Sequence, residues 1–222
     1  MIDPKIESAI EAALGAFSQY NNFDAIKYAS AFEEVFSAPA DFLSKVDLLD
    51  KLFDNDPKLE SLREVFFDLL LINFFSEDVK KLEDDYLETK EWEKIEEQTL
   101  DRGTELLNVL LYLNECNDED IEPGLEDYLK EFLLVDEDEF QDEYRIYEPV
   151  IKNQILMESP VSEIGKVAAS LPDDSEIKEI FYPVMCFFQN MESSTADKQE
   201  IAKNAVDKGF DMAVIGILES FI

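Results

Sequence analysis

The sequence contains no histidine, and only 19 lysines and arginines stand against 53 aspartates and glutamates. Without histidine, the chain lacks the usual general base near neutral pH and the commonest protein ligand of metal ions. The shortage of basic residues argues against nucleic-acid binding, because that affinity depends mainly on lysines and arginines that neutralise phosphates. It argues equally against anionic membrane surfaces. A formal charge of -34 leaves three roles for the acids: recognition of a basic partner, carboxylate-based metal chemistry, or solubility.

Long apolar runs are also lacking, and a secretory leader is not expected. Residues 1–5 do not contain the basic region followed by an apolar region that is typical of a signal peptide. The longest apolar run, 65–75, is interrupted by two polar residues and is far shorter than the roughly 20 residues that cross a bilayer. Cys116 and Cys186 are distant in sequence and have no CxxC spacing, which favours reduced thiols. These features predict a cytoplasmic protein without a membrane-spanning segment.

The composition is nevertheless that of a folded protein. Acid-rich chains that stay disordered are poor in aromatic and aliphatic residues. This chain is 46% hydrophobic, with 17 phenylalanines, 8 tyrosines and only 6 glycines. No stretch rich in glycine, serine or proline indicates a linker, so we predict a single domain over residues 1–222.

Apolar residues recur at the spacing of α-helices along nearly the whole chain. Ile6, Ile10, Leu14 and Phe17 follow one another at intervals of three and four, which places them on one face of a helix. Sustained period-two alternation and Asn-Gly or Asp-Gly hairpin turns are both missing from the sequence. The pattern therefore predicts an all-α fold.

Prolines and capping residues divide this pattern into about twelve helices. Pro4, Pro57 and Pro160 each follow an aspartate or serine, the arrangement expected at a helix start. Pro149 and Pro183 fall inside predicted helices, where each should kink or break the helix. The predicted helices span residues 4–20, 22–37, 39–55, 57–75, 77–96, 98–116, 122–135, 137–158, 160–170, 173–190, 195–208 and 210–221.

These helices form six antiparallel pairs that begin 34 to 46 residues apart, which is the period of helix-turn-helix repeats. The stretches 180–188 and 212–218 are apolar on all sides, so each must be covered by several neighbours. We therefore predict a tightly curled α-α superhelix, with an irregular helical bundle as the alternative.

One set of acids resembles a known enzyme motif. Glu88-x-x-Glu91 lies 13 residues before Glu105-x-x-Asn108, which is similar to the ExxE…ExxD arrangement of the all-α nucleotide pyrophosphohydrolases. That resemblance implies that Glu88, Glu91 and Glu105 bind Mg²⁺ for attack of water on a nucleoside triphosphate. Asn108 stands where the family has its final Asp, so the resemblance implies a weakened or lost site.

The densest charge lies in residues 115–148, which we call the acidic segment. It holds 15 acids against Lys130 and Arg145, and aromatic residues lie between the acids. Acids and aromatics together could form a surface for a basic protein. The alternative is a helical pair whose aromatics are core and whose acids face solvent. The predicted partner-binding residues are Glu119, Asp120, Tyr128, Asp136, Glu139 and Tyr144.

Taken together, the sequence favours a non-enzymatic interaction protein that binds a basic partner and needs no cofactor. Nucleic acids and membranes are not expected partners. The alternative is a magnesium-dependent, possibly degenerate, nucleotide pyrophosphohydrolase that uses Glu88, Glu91 and Glu105.

Overall fold

The computed structural model describes residues 2–77, 84–132, 134–136, 139–140 and 145–222. In these ranges the regular structure is helical except for two short strands, so the predicted all-α class is confirmed. The helices are α1 (Pro4–Asn21), α2 (Ala29–Phe36), α3 (Phe42–Asn55), α4 (Arg63–Glu77), α5 (Asp84–Leu87), α6 (Lys90–Thr99), α7 (Leu106–Glu119), α8 (Leu125–Asp127), α9 (Glu148–Lys152), α10 (Val161–Ser170), α11 (Lys178–Gln189), α12 (Thr195–Asn204) and α13 (Lys208–Glu219).

Shorter helical turns connect several of these helices. Three 3-10 segments precede or follow α-helices, and one π-helical turn continues α8. They span Ile26–Tyr28, Pro57–Leu62, Gln154–Glu158 and, for the π turn, Tyr128–Phe132. The strands β1 (Leu134–Asp136) and β2 (Glu139–Phe140) pair antiparallel, with Leu134 opposite Phe140 and Asp136 opposite Glu139.

Helix starts follow the local chemistry of the sequence. The Asp3 carboxylate accepts a hydrogen bond from the Lys5 backbone N–H at 2.8 Å, with Pro4 in the first turn of α1. Ser194 and Asp197 form a reciprocal capping box at the start of α12. Both arrangements satisfy backbone N–H groups that have no partner inside the helix.

The chain departs most from the predicted helices between residues 120 and 150. Predicted helices 122–135 and 137–158 are wrong there, because β1 and β2 occupy parts of both. Like charges three or four residues apart destabilise a helix, and the acidic segment has many such pairs. The predicted helix 137–158 is broken at Pro149, as expected, because this proline lies in the first turn of α9, which begins at Glu148. Pro183, by contrast, does lie inside α11.

The predicted helix 98–116 starts too early. Residues 100–105 form a loop, and α7 begins only at Leu106. Gly103 has a φ of 85°, a left-handed conformation that interrupts any helix at this point. The loop is fixed in place by contacts with α4, described below.

Buried side chains from the whole chain form one cluster that extends from Ile6 to Phe221. The predicted all-round burial is found in α11, where every residue from Ile180 to Phe188 is buried. It is also found in α13, where Gly216 is the one residue of 212–218 that is not fully buried. The deepest part of the core therefore consists of helices covered on several sides.

The first and last helices pack side by side, since α1 lies along α13. Repeats in an open solenoid contact only their neighbours, so this arrangement is not an open solenoid. The curled superhelix in six pairs stays a prediction, as does its bundle alternative. Across the described residues, no helix combines the length and the apolarity needed to cross a membrane.

Candidate partner-binding groove

One face of α7 carries a row of acids beside an apolar residue. The spacing of three and four residues places these side chains on the same side of the helix. The helix ends at Asp120, whose backbone is left-handed with a φ of 57°. The residues of this face are Leu111, Asn114, Glu115, Asp118 and Glu119.

The start of α1 and the end of α4 lie opposite this face. The Asp3 backbone N–H donates to Oδ1 of the buried Asn73 on α4 at 2.9 Å. The Lys5 ammonium donates to Oδ1 of Asn114 on α7 at 3.4 Å. These two hydrogen bonds connect the start of α1 to α4 and α7, and a space of about 760 Å³ lies between the three helices. We call it the acidic groove, and its lining is Asp3, Lys5, Ile72, Phe75, Ser76, Leu111, Asn114, Glu115, Asp118 and Glu119.

The groove is negative. Four of its ten lining residues are acids, and Lys5 is its single basic residue. Glu115, Asp118 and Glu119 are exposed, and none of them forms an ion pair within the described part of the chain. Their charges are therefore available to a ligand. The apolar residues of the lining are mostly covered: Ile72 is 1% and Phe75 6% exposed, and Leu111 is half-buried.

The structure places the predicted partner-binding residues in different environments. Glu119 lines the groove, and the exposed Asp120 adjoins it. Asp136 and Glu139 are paired across the two strands, but their side chains lie outside what the structure describes. Tyr144 also lies outside the described residues. Only part of the predicted surface is thus brought together at a described site.

Tyr128 is a correction to the sequence prediction. Its side chain is only 1% exposed, and its ring stacks on Phe188 with 5.9 Å between ring centroids. Its hydroxyl donates to the hydroxyl oxygen of Tyr147 at 3.1 Å. A buried ring cannot meet a partner, so Tyr128 is a core residue, as the alternative interpretation of the aromatics expected.

The acids of the magnesium prediction are not assembled into a site. The Glu105 carboxylate accepts hydrogen bonds from the Tyr147 hydroxyl and the Asn108 amide. Glu88 and Glu91 are exposed, the first after α5 and the second on α6. Among the described residues no three Asp, Glu or Cys side chains are grouped so that they could hold a metal ion. Glu105 and Asn108 thus serve a hydrogen-bond network that includes Tyr147.

A second group of charged residues joins α3, α4 and the 100–105 loop. The Arg102 guanidinium donates to Asp50 at 3.0 and 3.1 Å and to Glu64 at 3.0 and 3.1 Å. Asp68 is fully buried and accepts from the Thr104 hydroxyl at 2.7 Å and the Thr104 backbone N–H at 3.1 Å. Burial raises the pKa of Asp68 to about 8. These groups bind one another, so the cluster holds the loop rather than a ligand.

A smaller cavity of about 470 Å³ lies near the start of α13. Asp211 lines it and is 2% exposed, and one carboxylate oxygen accepts from the backbone N–H groups of Val206 and Asp207. Burial raises the pKa of Asp211 to about 7. Lys178 is the cavity's single basic residue, and it pairs with Asp173.

Sequence reasoning found one end of the acidic groove and missed the rest. The predicted helix 98–116 includes Leu111 and Glu115 but ends before Asp118 and Glu119, which α7 carries on the same face. Asp3 and Phe75 are remote in sequence, and no local pattern relates them to α7. The sequence matches no protein-family model and has no significant match among curated proteins or solved structures.

Proposed function

We propose that this chain is a non-enzymatic interaction protein that binds a basic partner through the acidic groove. The observation that carries the proposal is the row of three exposed acids on α7, Glu115, Asp118 and Glu119, along one side of the groove. Exposed charges of one sign steer a partner of the opposite sign and select it.

The charge of the whole chain supports a basic partner over other ligands. A net charge of -34 repels nucleic acids, phosphate-rich ligands and anionic membranes. The same field attracts a positively charged protein from a distance and raises its association rate, and salt weakens that attraction. Recognition should therefore depend strongly on ionic strength.

A cytoplasmic location is part of this proposal. Cys116 and Cys186, the two cysteines of the chain, are buried and do not form a disulfide with each other. Burial raises the pKa of the Cys186 thiol to about 12, which keeps it protonated and unreactive. Two such thiols fit a reducing compartment.

Neutralising the α7 acids should weaken binding of a basic ligand. The test variant combines Glu115→Gln, Asp118→Asn and Glu119→Gln. We expect its affinity for a lysine-rich peptide at low salt to fall about tenfold, because each exposed ion pair contributes about 0.2–1 kcal/mol. Isothermal titration calorimetry at low and at physiological salt measures this difference.

A matched control removes the same charge elsewhere. Glu158→Gln, Asp174→Asn and Glu192→Gln also neutralise two glutamates and one aspartate, all exposed and none lining the groove. The control should change the affinity by less than about twofold, since distant exposed charges are largely screened. Equal losses in the two variants would mean that binding depends on total charge and not on the groove. No binding of the peptide at low salt would refute the proposal altogether.

A further inference from the structure

The cavity near the start of α13 contains a buried carboxylate with one unused oxygen. Asp211 is 2% exposed, and its Oδ2 accepts hydrogen bonds from the backbone N–H groups of Val206 and Asp207 at 2.8 and 3.0 Å. Its Oδ1 accepts no hydrogen bond from any described residue and keeps a small solvent-accessible surface. Because Asp211 lines the cavity, Oδ1 is the acceptor that it offers there. A buried acceptor without a partner indicates a missing donor.

The exposed residues of the cavity lining are mostly acids. Glu176, Glu179 and Asp207 line the cavity, are exposed and form no ion pair within the described parts of the chain. Lys178, the single basic residue of the lining, is paired with Asp173. The cavity therefore has a surplus of carboxylates at its rim and a free carboxylate oxygen inside, and both favour a cation.

The side chains present fit an organic cation better than a metal ion. Among the described residues no three acidic or cysteine side chains are grouped so that they could hold a metal. An ammonium group carries three N–H donors, so it can bind one buried oxygen and direct its other donors elsewhere. Tyr182 and Phe210 also line the cavity, but they are 1% and 6% exposed, so charge rather than apolar contact must supply the affinity. The volume of about 470 Å³ is that of a small-molecule site.

We propose that this cavity binds a small organic amine with two ammonium groups. One ammonium donates a hydrogen bond to Oδ1 of Asp211, and the other lies beside Glu176 and Glu179 at the rim. A single ammonium would leave the carboxylates of the rim without a partner. The cavity and the acidic groove have no residue in common, so the inference is independent of the proposed function.

Binding of the amine should release a proton from the protein. Burial raises the pKa of Asp211 to about 7, so in the absence of the amine this carboxyl is about half protonated at pH 7. An ammonium beside it favours the ionised form. Protons therefore compete with the amine, and the affinity should rise about tenfold from pH 6 to pH 8.

The other groups around Asp211 keep their charge across this pH range. On α11, Tyr182 and Cys186 have pKa values raised by burial, the latter to about 12, so both stay neutral. Carboxylates at the surface stay ionised near neutral pH, and lysines stay protonated. The groups concerned are Asp173 and Glu176 before α11, Lys178 and Glu179 on α11, and Asp207 before α13. A proton released near pH 7 is therefore assigned to Asp211.

Isothermal titration calorimetry on the full chain tests the inference with 1,4-diaminobutane and with 1-aminobutane. We expect the diamine to bind about fivefold more tightly, because its second charge pairs with exposed carboxylates. Titrations at pH 7 in two buffers of different ionisation enthalpy count the protons, and about half a proton should be released per diamine bound.

Two variants with the same change in formal charge locate the site. Asp211→Asn keeps an oxygen for the two backbone N–H groups and removes the carboxylate, so it should lower the affinity at least about tenfold and abolish the proton release. Asp68→Asn removes another buried carboxyl with a raised pKa, outside the cavity, and should leave both quantities unchanged. Circular dichroism melting curves verify that both variants are folded.

A third variant addresses the rim and changes exposed residues only. Glu176→Gln combined with Glu179→Gln should reduce the preference for the diamine over the monoamine to about twofold or less and leave the proton release intact. This variant and the proton count on the parent protein keep the inference testable even if Asp211→Asn does not fold.

Four results would overturn the inference. The diamine could fail to bind the parent at low salt, or bind no more tightly than the monoamine. Equal losses in Asp211→Asn and Asp68→Asn would mean that the amine is attracted only by the net charge of the chain. Binding without release of a proton would place the amine away from Asp211.

Discussion

The free energy of unfolding should fall as the pH rises from about 5 to about 8, so the protein is expected to be more stable in mild acid than at neutral pH. Two buried carboxyl groups cause this. Burial raises the pKa of Asp68 from 3.8 to about 8 and that of Asp211 from 3.8 to about 7. Nearby acids add to the effect: Glu64 and Glu105 for Asp68, and Asp207 for Asp211.

The sign of this pH dependence follows from the number of protons bound by the folded and the unfolded protein. The unfolded chain releases these protons near pH 4, whereas the folded chain keeps them to higher pH. Between those values the folded state binds more protons, so each step up in pH favours unfolding. The stabilisation by each carboxyl group is fully present below its pKa in the unfolded chain. It is lost as the pH rises through the pKa of the same group in the folded protein. The slope is at most about 1.4 kcal/mol per pH unit for each group.

Acids outside the core act in a different pH range. Asp41 and Asp56 have pKa values below the usual one, mainly because they accept hydrogen bonds from Ser44 and Tyr28 respectively. Such groups stabilise the fold above their ordinary pKa, and that contribution is lost as the pH falls through the lowered value, below about 4. A stability maximum in mild acid is therefore expected.

Thermal or urea unfolding followed by circular dichroism across this pH range measures the effect. Asp68→Asn and Asp211→Asn should each flatten the curve between about pH 5 and pH 8, because each removes one titrating group. The sequence predicts the same direction for another reason, repulsion among acids that are close in sequence, such as the run 136–139. Salt screens surface repulsion and leaves buried groups nearly unaffected. A slope that vanishes at high salt, or that is undiminished in both variants, would contradict the role of the two buried carboxyl groups.

Replacing Gly103 by alanine should destabilise the fold by about 2–4 kcal/mol and lower the melting temperature by roughly 5–10 °C. Gly103 has a φ of 85°, where a side chain strains the backbone. A Cβ atom at this position would lie 2.5 Å from Oδ1 of Asp68, which is fully buried and hydrogen-bonded to Thr104. Neither the carboxylate nor the loop can move without breaking those hydrogen bonds.

The same substitution at Gly15 is the control, and its effect should have the opposite sign. Gly15 lies inside α1, and a Cβ atom there would meet no atom within 4 Å. Alanine has a higher helix propensity than glycine, so Gly15→Ala should stabilise the protein by up to about 1 kcal/mol. Differential scanning calorimetry of both variants provides the comparison. A Gly103→Ala protein as stable as the parent would show that the loop does not depend on this conformation.

Local sequence signals account for the class of fold and for many helix starts. Pro4 after Asp3 and the capping box at Ser194 are complete within four residues, so they can be recognised without the rest of the protein. The 100–105 loop cannot be recognised from its local sequence, because it depends on ion pairs between Arg102 and residues of α3 and α4. The strands β1 and β2 are not recognised from local spacing either. The apolar spacing there is that of a helix, but repulsion among the acids disfavours the helix.

The candidate site divides in the same way. The acids of α7 have the spacing of one helical face, although the predicted helix 98–116 ends before Asp118 and Glu119. The other walls come from α1 and α4, and only the packing of these helices brings Asp3 and Phe75 into one groove. For Tyr128 the local sequence is misleading. An aromatic residue among acids has the composition of a binding surface, and only its three-dimensional neighbours, Tyr112, Tyr147 and Phe188, place it in the core.

The packing of α1 along α13 has a consequence for how the chain folds during synthesis. The two helices lie at opposite ends of the sequence, so the ribosome makes α1 long before its main partner exists. Until residues 208–219 emerge, α1 lacks the surface that α13 provides along it, where Gly216 approaches Ala12 in the finished fold. Contacts between such distant residues form slowly, and exposed apolar faces attract one another in the meantime. The nascent chain should therefore depend on chaperones, or on its own high negative charge, to avoid aggregation before the last helix closes the core.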